Sequence, residues 1–354
     1  MNMAQSTEAP AALDYIGGGG DVASILLRNQ MDPQSLRPFI HDNRTYMTVN
    51  RGGKEQTIVT NAPGLLRVDD WRLLDRTVRT AAQQQLKAWN MLRAANSFTI
   101  PNGLGKTVLE HEMQSDIGPA TVSMDGLRKG SSDRPQYDIG NLPLPLFHKD
   151  FSFSARQLAV SRNGSPLDVT NADLAARKVA EEVEKMTLGT ETYSFGGANI
   201  YGYTNYPKRL TATLTDPTDS GWDGATLVRE VLAMKAQSRA ARHYGPWDCL
   251  VSPDWDEHLD DDYSESKGDN TVRDRIGKIE GISRPTTVDF LTGYQIILVQ
   301  RSANVARGVV GMDITTLQWP SQGGMEINFK VMGILVPQLR CDFNDRTGVV
   351  HGSV

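Results

Sequence analysis

Thr107-Val108-Leu109-Glu110-His111-Glu112-Met113 and Ala120-Thr121-Val122-Ser123-Met124-Asp125 both alternate apolar with polar side chains, the period of a half-buried β-strand. A tip dense in turn formers and charge follows, Gly126-Leu127-Arg128-Lys129-Gly130-Ser131-Ser132-Asp133-Arg134-Pro135, and then Leu142-Pro143-Leu144-Pro145-Leu146. Prolines at alternate positions cannot donate to a ladder, so this returning strand is expected at an edge with its leucine side packed. Phe147, Phe151 and Phe153 fall on the other parity, which implies a bulge or a change of sheet. Residues 98–153 thus read as a long two-sided ribbon with too little core to stand alone, because a pair of strands is marginal in water unless something covers its apolar face. The expected cover is a second copy of the same chain. Val122, Met124, Leu127, Arg128, Lys129 and Arg134, at the tip and its flank, are the candidate residues for that contact.

On either side of the ribbon the period changes to that of helices. Asp69 or Asp70 can cap a helix running to about Ala95, with Trp71, Leu74, Val78, Ala81, Ala82, Leu86, Trp89 and Leu92 recurring at threes and fours. Its opposite face carries Arg72, Arg76, Arg79 and Lys87, which either meet solvent or turn toward an enclosed polyanion. A second helix is expected over residues 171–188, capped by Thr170 or Asn171 and stopped by Gly189. Ala172, Ala175, Ala176, Val179, Val183 and Met186 make its narrow apolar stripe, with Glu181, Glu182, Glu184 and Lys185 facing elsewhere; small residues suit a helix laid closely along a β layer. A third helix, from about Gly224 to Arg239, turns Leu227, Val228, Val231 and Leu232 inward.

Short strands follow at residues 247–251, 295–299 and 306–311, with a short helix near residues 271–279, an alternating strand over residues 325–337 and a final strand pair through Val350. Helices and short strands mixed in this way indicate an α+β fold. Residues 1–66 are poor in periodic pattern, contain Gly17-Gly18-Gly19-Gly20 and bury little by themselves, so they read as an arm that lies on a partner.

Bulk properties limit the function classes. With 39% hydrophobic and 22% charged residues the composition is ordinary for a folded protein, so class comes from pattern. No apolar run approaches the roughly 20 residues that span a bilayer, and the first residues carry neither a basic start nor an apolar stretch, so a protein made and used in the cytosol is expected. Cys249 and Cys341 stand far apart and outside any CxxC spacing, which argues against a zinc site or a disulfide framework. The net charge of -5 is unevenly spread: residues 67–97 hold six basic and three acidic side chains, residues 216–318 hold 11 basic and 17 acidic. Such a chain does not grip nucleic acid through its whole surface, but it can enclose it.

The candidate chemical motifs fail on spacing. Gly103-Leu104-Gly105-Lys106-Thr107 ends like a phosphate loop, yet Ile100 stands where the first glycine is required and the lysine leads into a strand, so a tight turn is expected. Asp260-Asp261-Asp262 could offer oxygen ligands to a divalent cation but lacks the EF-hand spacing and its glycine; an exposed acidic loop is the plainer reading. Ser252, Asp254 and His258 are neighbours in sequence without a GxSxG elbow. No catalytic constellation is found, no cofactor is expected, and a non-enzymatic role follows as the expectation.

The order of arm, basic helix, β arm, long helix, mixed region and final strands resembles the Johnson fold of tailed-phage major capsid proteins and encapsulins. Asp69-Asp70-Trp71 onward looks like the first helix of encapsulins, Pro143-Leu144-Pro145-Leu146-Phe147-His148-Lys149-Asp150-Phe151 like the strand leading into their spine helix, and Leu250-Val251-Ser252-Pro253-Asp254-Trp255 and Gly308-Val309-Val310-Gly311-Met312-Asp313 like their axial-domain strands. The resemblance implies an N-terminal arm at residues 1–66 and a first helix of the peripheral domain at 67–97. It further implies an extended loop at 98–150, a peripheral domain at 151–221 with its spine at 171–188, an axial domain at 222–319 and peripheral C-terminal strands at 320–354. Encapsulins generally lack such an arm and phage capsid proteins have one, which favours a virion. The implied function is a major capsid protein of an icosahedral phage head, in hexamers and pentamers around double-stranded DNA bound without sequence specificity. The implied partners are other subunits, portal, scaffold and cement proteins, with assembly in the host bacterial cytoplasm and no membrane. The alternative is an encapsulin-like compartment around cargo enzymes, and a cytosolic hydrolase is a third reading that the missing constellation disfavours. Arg72, Arg76, Arg79 and Lys87 would then face the lumen.

Overall fold

Four short strands come first among the described residues: β1 (Pro38–His41), β2 (Arg44–Arg51), β3 (Lys54–Val59) and β4 (Leu66–Arg67) form one sheet in the order β3-β2-β1-β4. The computed structural model describes residues 38–41, 44–51, 54–59, 66–114, 122, 124, 137–162, 168–263, 270–342 and 344–354. Part of the segment expected to need a partner therefore folds on its own chain. Phe39 and the buried Leu66 pack into the same cluster as Trp71 and Leu74.

Where one helix was expected over residues 69–95 there are two, α1 (Val68–Gln85) and α2 (Lys87–Ala95), parted at Leu86, whose ψ of 68 is not helical. All eight apolar positions of the expected stripe are buried, so the break changes direction without spoiling the face. Strand β5 (Ser97–Thr99) leads into the arm, a two-stranded ribbon of β6 (Val108–Gln114) and β7 (Tyr137–Pro143), and β8 (Phe147–Ser154) follows in a different sheet. The parity switch between Leu146 and Phe147 is thus a change of sheet, as the sequence pattern implies. Pro143 closes the β7 ladder opposite Val108, and Pro145 lies outside any strand.

After α3 (Ala155–Arg162) comes the spine, α4 (Thr170–Leu188). Its start is held by Asp168, whose carboxylate accepts from the backbone N–H and hydroxyl of Thr170 at 3.0 and 2.6 Å, so the cap lies upstream of the expected Thr170 or Asn171. Gly189 ends it at φ +92, a left-handed conformation, with its N–H on the Lys185 carbonyl. The small-residue stripe packs on α1, β8 and the long β16 (Glu326–Leu339). There Phe329 stacks on Phe151 at 5.2 Å and meets Phe153 and Trp71 edge-on.

The hairpin of β9 (Tyr193–Phe195) and β10 (Ala198–Ile200) precedes β11 (Leu210–Thr213) and α5 (Gly224–Ala240), which Asp223 caps by accepting from the Thr226 N–H at 2.7 Å. Leu227, Val228 and Val231 point inward together with Met234, but Leu232 is exposed, because it falls outside the stripe set by Leu227, Val231 and Met234. Strand β12 (Trp247–Val251), α6 (Asp256–Asp260), α7 (Val272–Gly277), β13 (Thr286–Thr287), β14 (Gln295–Gln300), β15 (Ala306–Ser321) and β17 (Val349–Ser353) complete the chain.

Two larger sheets carry the architecture. One has the order β5-β15-β16-β8, the other β11-β17-β14-β12-β13. In the second, Trp247, Cys249, Val251, Ile296 and Leu298 pack under α5 and α7, while Leu250, Ile297 and Val299 pack toward α2 and α4. Both faces are covered, which is why these strands read as unbroken apolar runs. Sheet membership also cuts across the segment boundaries read from the sequence: residues 349–353 pair with β14 of the 222–319 segment on one side and with residues 210–213 on the other, and residues 306–321 pair with β16. Pairing over such separations leaves no local trace.

Candidate functional site

The arm is rooted by a compact apolar cluster. Ile100, Leu142, Leu144, Met186, Ile200, Val309, Ile334 and Val336 pack together, with Leu104 and Leu109 against them. The Ile100 N–H donates to the Val310 carbonyl and the Leu144 N–H to the Thr107 carbonyl, both at 2.9 Å. The tight turn expected in place of a phosphate loop is a single 3-10 turn, Gly103–Gly105, entered through Asn102 in the left-handed region. It seats against a strand irregularity: the β15–β16 register shifts between Val310 and Met312, and a Cβ on Gly103 would lie 2.3 Å from the Gly311 carbonyl oxygen. Backbone cannot retreat there as a side chain could. Gly103→Ala should therefore destabilise the fold by about 1–3 kcal/mol, as overpacking does, read as a lower urea midpoint at unchanged slope.

Outward from the root the ribbon loses its cover. Antiparallel register sets Glu110 opposite Asn141, Glu112 opposite Ile139 and Gln114 opposite Tyr137 on one face. Tyr137, Ile139, Glu110 and Glu112 are all exposed. The other face sets Leu109 opposite Leu142 and His111 opposite Gly140, whose missing Cβ leaves room for the imidazole. Of the candidate tip residues, Val122 is 95% and Met124 105% exposed, whereas Leu127, Arg128, Lys129 and Arg134 lie outside the described residues. Tyr137 and Ile139 on the ribbon are thus exposed apolar side chains, and so are Val122 and Met124, which stand outside its two strands and not in the strand that their alternation predicts.

The four basic candidates do not form one stripe. Arg72, Arg76 and Arg79 are exposed along α1, with Arg72 3.5 Å from Asp69. Lys87 opens α2, beyond the break, and pairs with Asp289 at 2.7 Å.

The break itself is built around a side chain that sequence spacing places inside although its charge suggests otherwise. Glu184 is 1% exposed, and its two carboxylate oxygens accept the Ala88 N–H at 2.6 Å and the Trp89 N–H at 3.1 Å. Leu86, at the cap position of α2, supplies no side-chain hydrogen bond, so a residue of α4 caps α2 from outside. Burial pushes the Glu184 carboxyl up to about 7, against the opposing pull of the α2 N–H groups and Lys87. Ala176, Ala180, Glu184 and Leu188 recur at fours, and that spacing was the available signal.

The remaining motifs are accounted for by packing. Asp256 and Asp260 both accept from Arg273, at 2.7 and 2.8 Å, and among the described residues no group of three or more His, Cys, Asp or Glu is placed to hold a metal. Ser252 Oγ accepts the Gln295 N–H, while His258 lies edge-on to Trp222 at 5.0 Å. No described helix is long and apolar enough to cross a membrane.

Two larger sheets, a spine helix and a two-stranded ribbon define the class. The fold is similar to that of the virus-like particle from Pyrococcus furiosus, with a TM-score of 0.58 at 15% identity over 81% of this chain and 100% of that one. It is similar also to the capsid of Myoviridae phage XM1, at 0.54 and 9% over 70% and 86%, and to a chain of Mycobacterium phage Adephagia, at 0.53 and 10% over 76% and 90%. The chain has the α+β Johnson fold of phage capsid proteins and encapsulin-like particles. It belongs to the family of unknown function DUF6260, which matches residues 61–352. No curated protein matches it.

Proposed function

We propose that the chain is a shell protein, the major capsid protein of an icosahedral phage head. The observation that carries this reading is the arm: a ribbon rooted by one apolar cluster, with its outer apolar side chains uncovered, on a fold shared with capsid proteins. One subunit that makes ring-closing contacts and joins rings to one another builds hexamers, pentamers and then a closed shell. Each arm laid on a neighbour adds to interfaces that typically bury about 1,600 Å². The shell encloses double-stranded DNA without sequence specificity, takes portal, scaffold and cement proteins as partners, and assembles in the host bacterial cytoplasm. Its work is mechanical and not catalytic.

A second reading, an encapsulin-like compartment around cargo enzymes, draws support from the match to the full length of the Pyrococcus particle chain. Electron microscopy of the purified protein tests both. Closed particles are expected, with nuclease-protected DNA for a phage head or co-purified protein for a compartment; a small discrete oligomer at all concentrations would refute both.

The exposed face of α1 supplies a further test. Reversing Arg72, Arg76 and Arg79 to Glu should leave particles intact. It should lower the salt dependence of duplex DNA binding by dissociated subunits by roughly 0.9 of a log–log slope per lost contact. Lys87→Glu should change it less, since Asp289 already neutralises that ammonium.

A further inference from the structure

At the base of the arm, on the face not covered by α1 and α4, two guanidiniums stand without a carboxylate from the described residues. Arg307 on β15 donates from Nε to the Gln338 side-chain oxygen directly across the ladder, and its guanidinium lies 4.3 Å from the centre of the Phe98 ring. Arg340, just past β16, donates only a long hydrogen bond, 3.4 Å, to the Glu112 backbone carbonyl of the arm. Among the described residues neither arginine has an acidic side chain within 4.0 Å. Arg273, Arg301 and Arg93, by contrast, each close on an aspartate at 2.5–2.8 Å.

The amide between them adds a second, independent sign. Gln338 is 1% exposed and its Nε2 has no hydrogen-bond partner among the described residues. Because Arg307 donates to the oxygen, the amide cannot turn over to satisfy that nitrogen, and a buried unpaired N–H destabilises the fold unless something accepts from it. The imidazole of His111 completes the surroundings, and burial with the two nearby guanidinium charges holds it below its ordinary value. Burial and Arg340 likewise lower the Arg307 value. Apart from His111 Nδ1, which donates or accepts according to its tautomer, the unpaired groups between the two half-buried arginines are donors among the described residues, and guanidinium-to-oxyanion hydrogen bonds are among the strong ones.

We infer that Arg307, Arg340 and the Gln338 amide form an oxyanion site at the arm root, shaped for one carboxylate or phosphate group. Two sources can supply that group: a small free anion, or, on the shell reading above, an acidic side chain of a second copy lying across the arm root. Fork-shaped guanidiniums favour either over chloride, which cannot accept two parallel bonds.

The test compares phosphate with chloride at matched ionic strength on the full chain, wild type beside Arg340→Gln. If a free ion fills the site, phosphate raises the unfolding midpoint of dissociated wild-type subunits by roughly 2–4 °C more than it raises that of the variant. If a neighbour's carboxylate fills it, phosphate competes, so wild-type particles dissociate at a lower urea concentration in phosphate than in chloride, and Arg340→Gln particles do so without phosphate. Equal behaviour of wild type and variant in both salts, on both readouts, overturns the site. The first readout needs no particles, so a failure of the shell reading would be seen separately as the absence of closed particles in the micrographs.

Discussion

Removing residues 122–136 is expected to leave a soluble chain with an unchanged thermal midpoint that no longer forms closed particles. The midpoint holds because the cores are assembled elsewhere: the arm's contribution to packing is made at its root, by Ile100, Leu109, Leu142 and Leu144, all outside the deletion. Within the deletion, Val122 and Met124 are fully exposed. Assembly fails because a shell subunit without its arm tip loses contact area on a neighbour in every copy, so the deficit repeats across the lattice. Sedimentation velocity and electron microscopy read the outcome directly. Normal shells from the deleted chain would remove the main support for the proposed function, and a collapse of the thermal midpoint would show that the tip serves the fold of its own subunit.

The second large effect is expected at Glu184. Replacing it with Ala deletes both hydrogen bonds to the start of α2 and leaves a cavity beneath Trp89, at a cost of about 3 kcal/mol. Glu184→Gln keeps the volume and one acceptor, and it separates packing from charge through pH. In the wild type the folded-state value is raised, to about 7 against an ordinary 4.5, so between those values the folded chain holds a proton that the unfolded chain has lost. Stability from this group is therefore fully present below about pH 4.5, declines as pH rises toward 7 and is gone above it, a span of roughly 3 kcal/mol. The difference between wild type and Glu184→Gln in urea midpoints should follow that curve. A difference that is flat from pH 4.5 to 8 would mean the carboxylate is ionised throughout.

Much of the fold could be read from residue pattern. The stripe from Trp71 to Leu92 and the stripe from Ala172 to Met186 are buried as spacing requires, and the switch from leucine to phenylalanine parity marks a real change of sheet. What escaped was decided by partners far away in the chain. The break at Leu86 answers to Glu184, 98 positions later, and a helix-forming run with no glycine or proline gives no local warning of it. The charge of Glu184 argues for an outward side chain, while its four-residue spacing from Ala180 and Leu188 argues the reverse, and the spacing decides. The arm was legible as an element, because alternation is local. The donor cluster at its root was not, since Arg307 and Gln338 meet only across a ladder joined through a register shift.

The place of β17 has a consequence for how the chain comes into being. Residues 349–353 lie between β11 and β14, so β11 reaches its sheet only through a strand made more than 130 residues after it. During synthesis β14 and β12 can pair early, but β11 waits with an open edge, and non-local pairing of this kind is slow. A chain stopped short of residue 349 would keep that edge unfilled and leave Val299 and Leu298 without Val349 and Val350 opposite them. Synthesis through residue 353 is thus a condition for closing this sheet, however early β12 and β14 have paired.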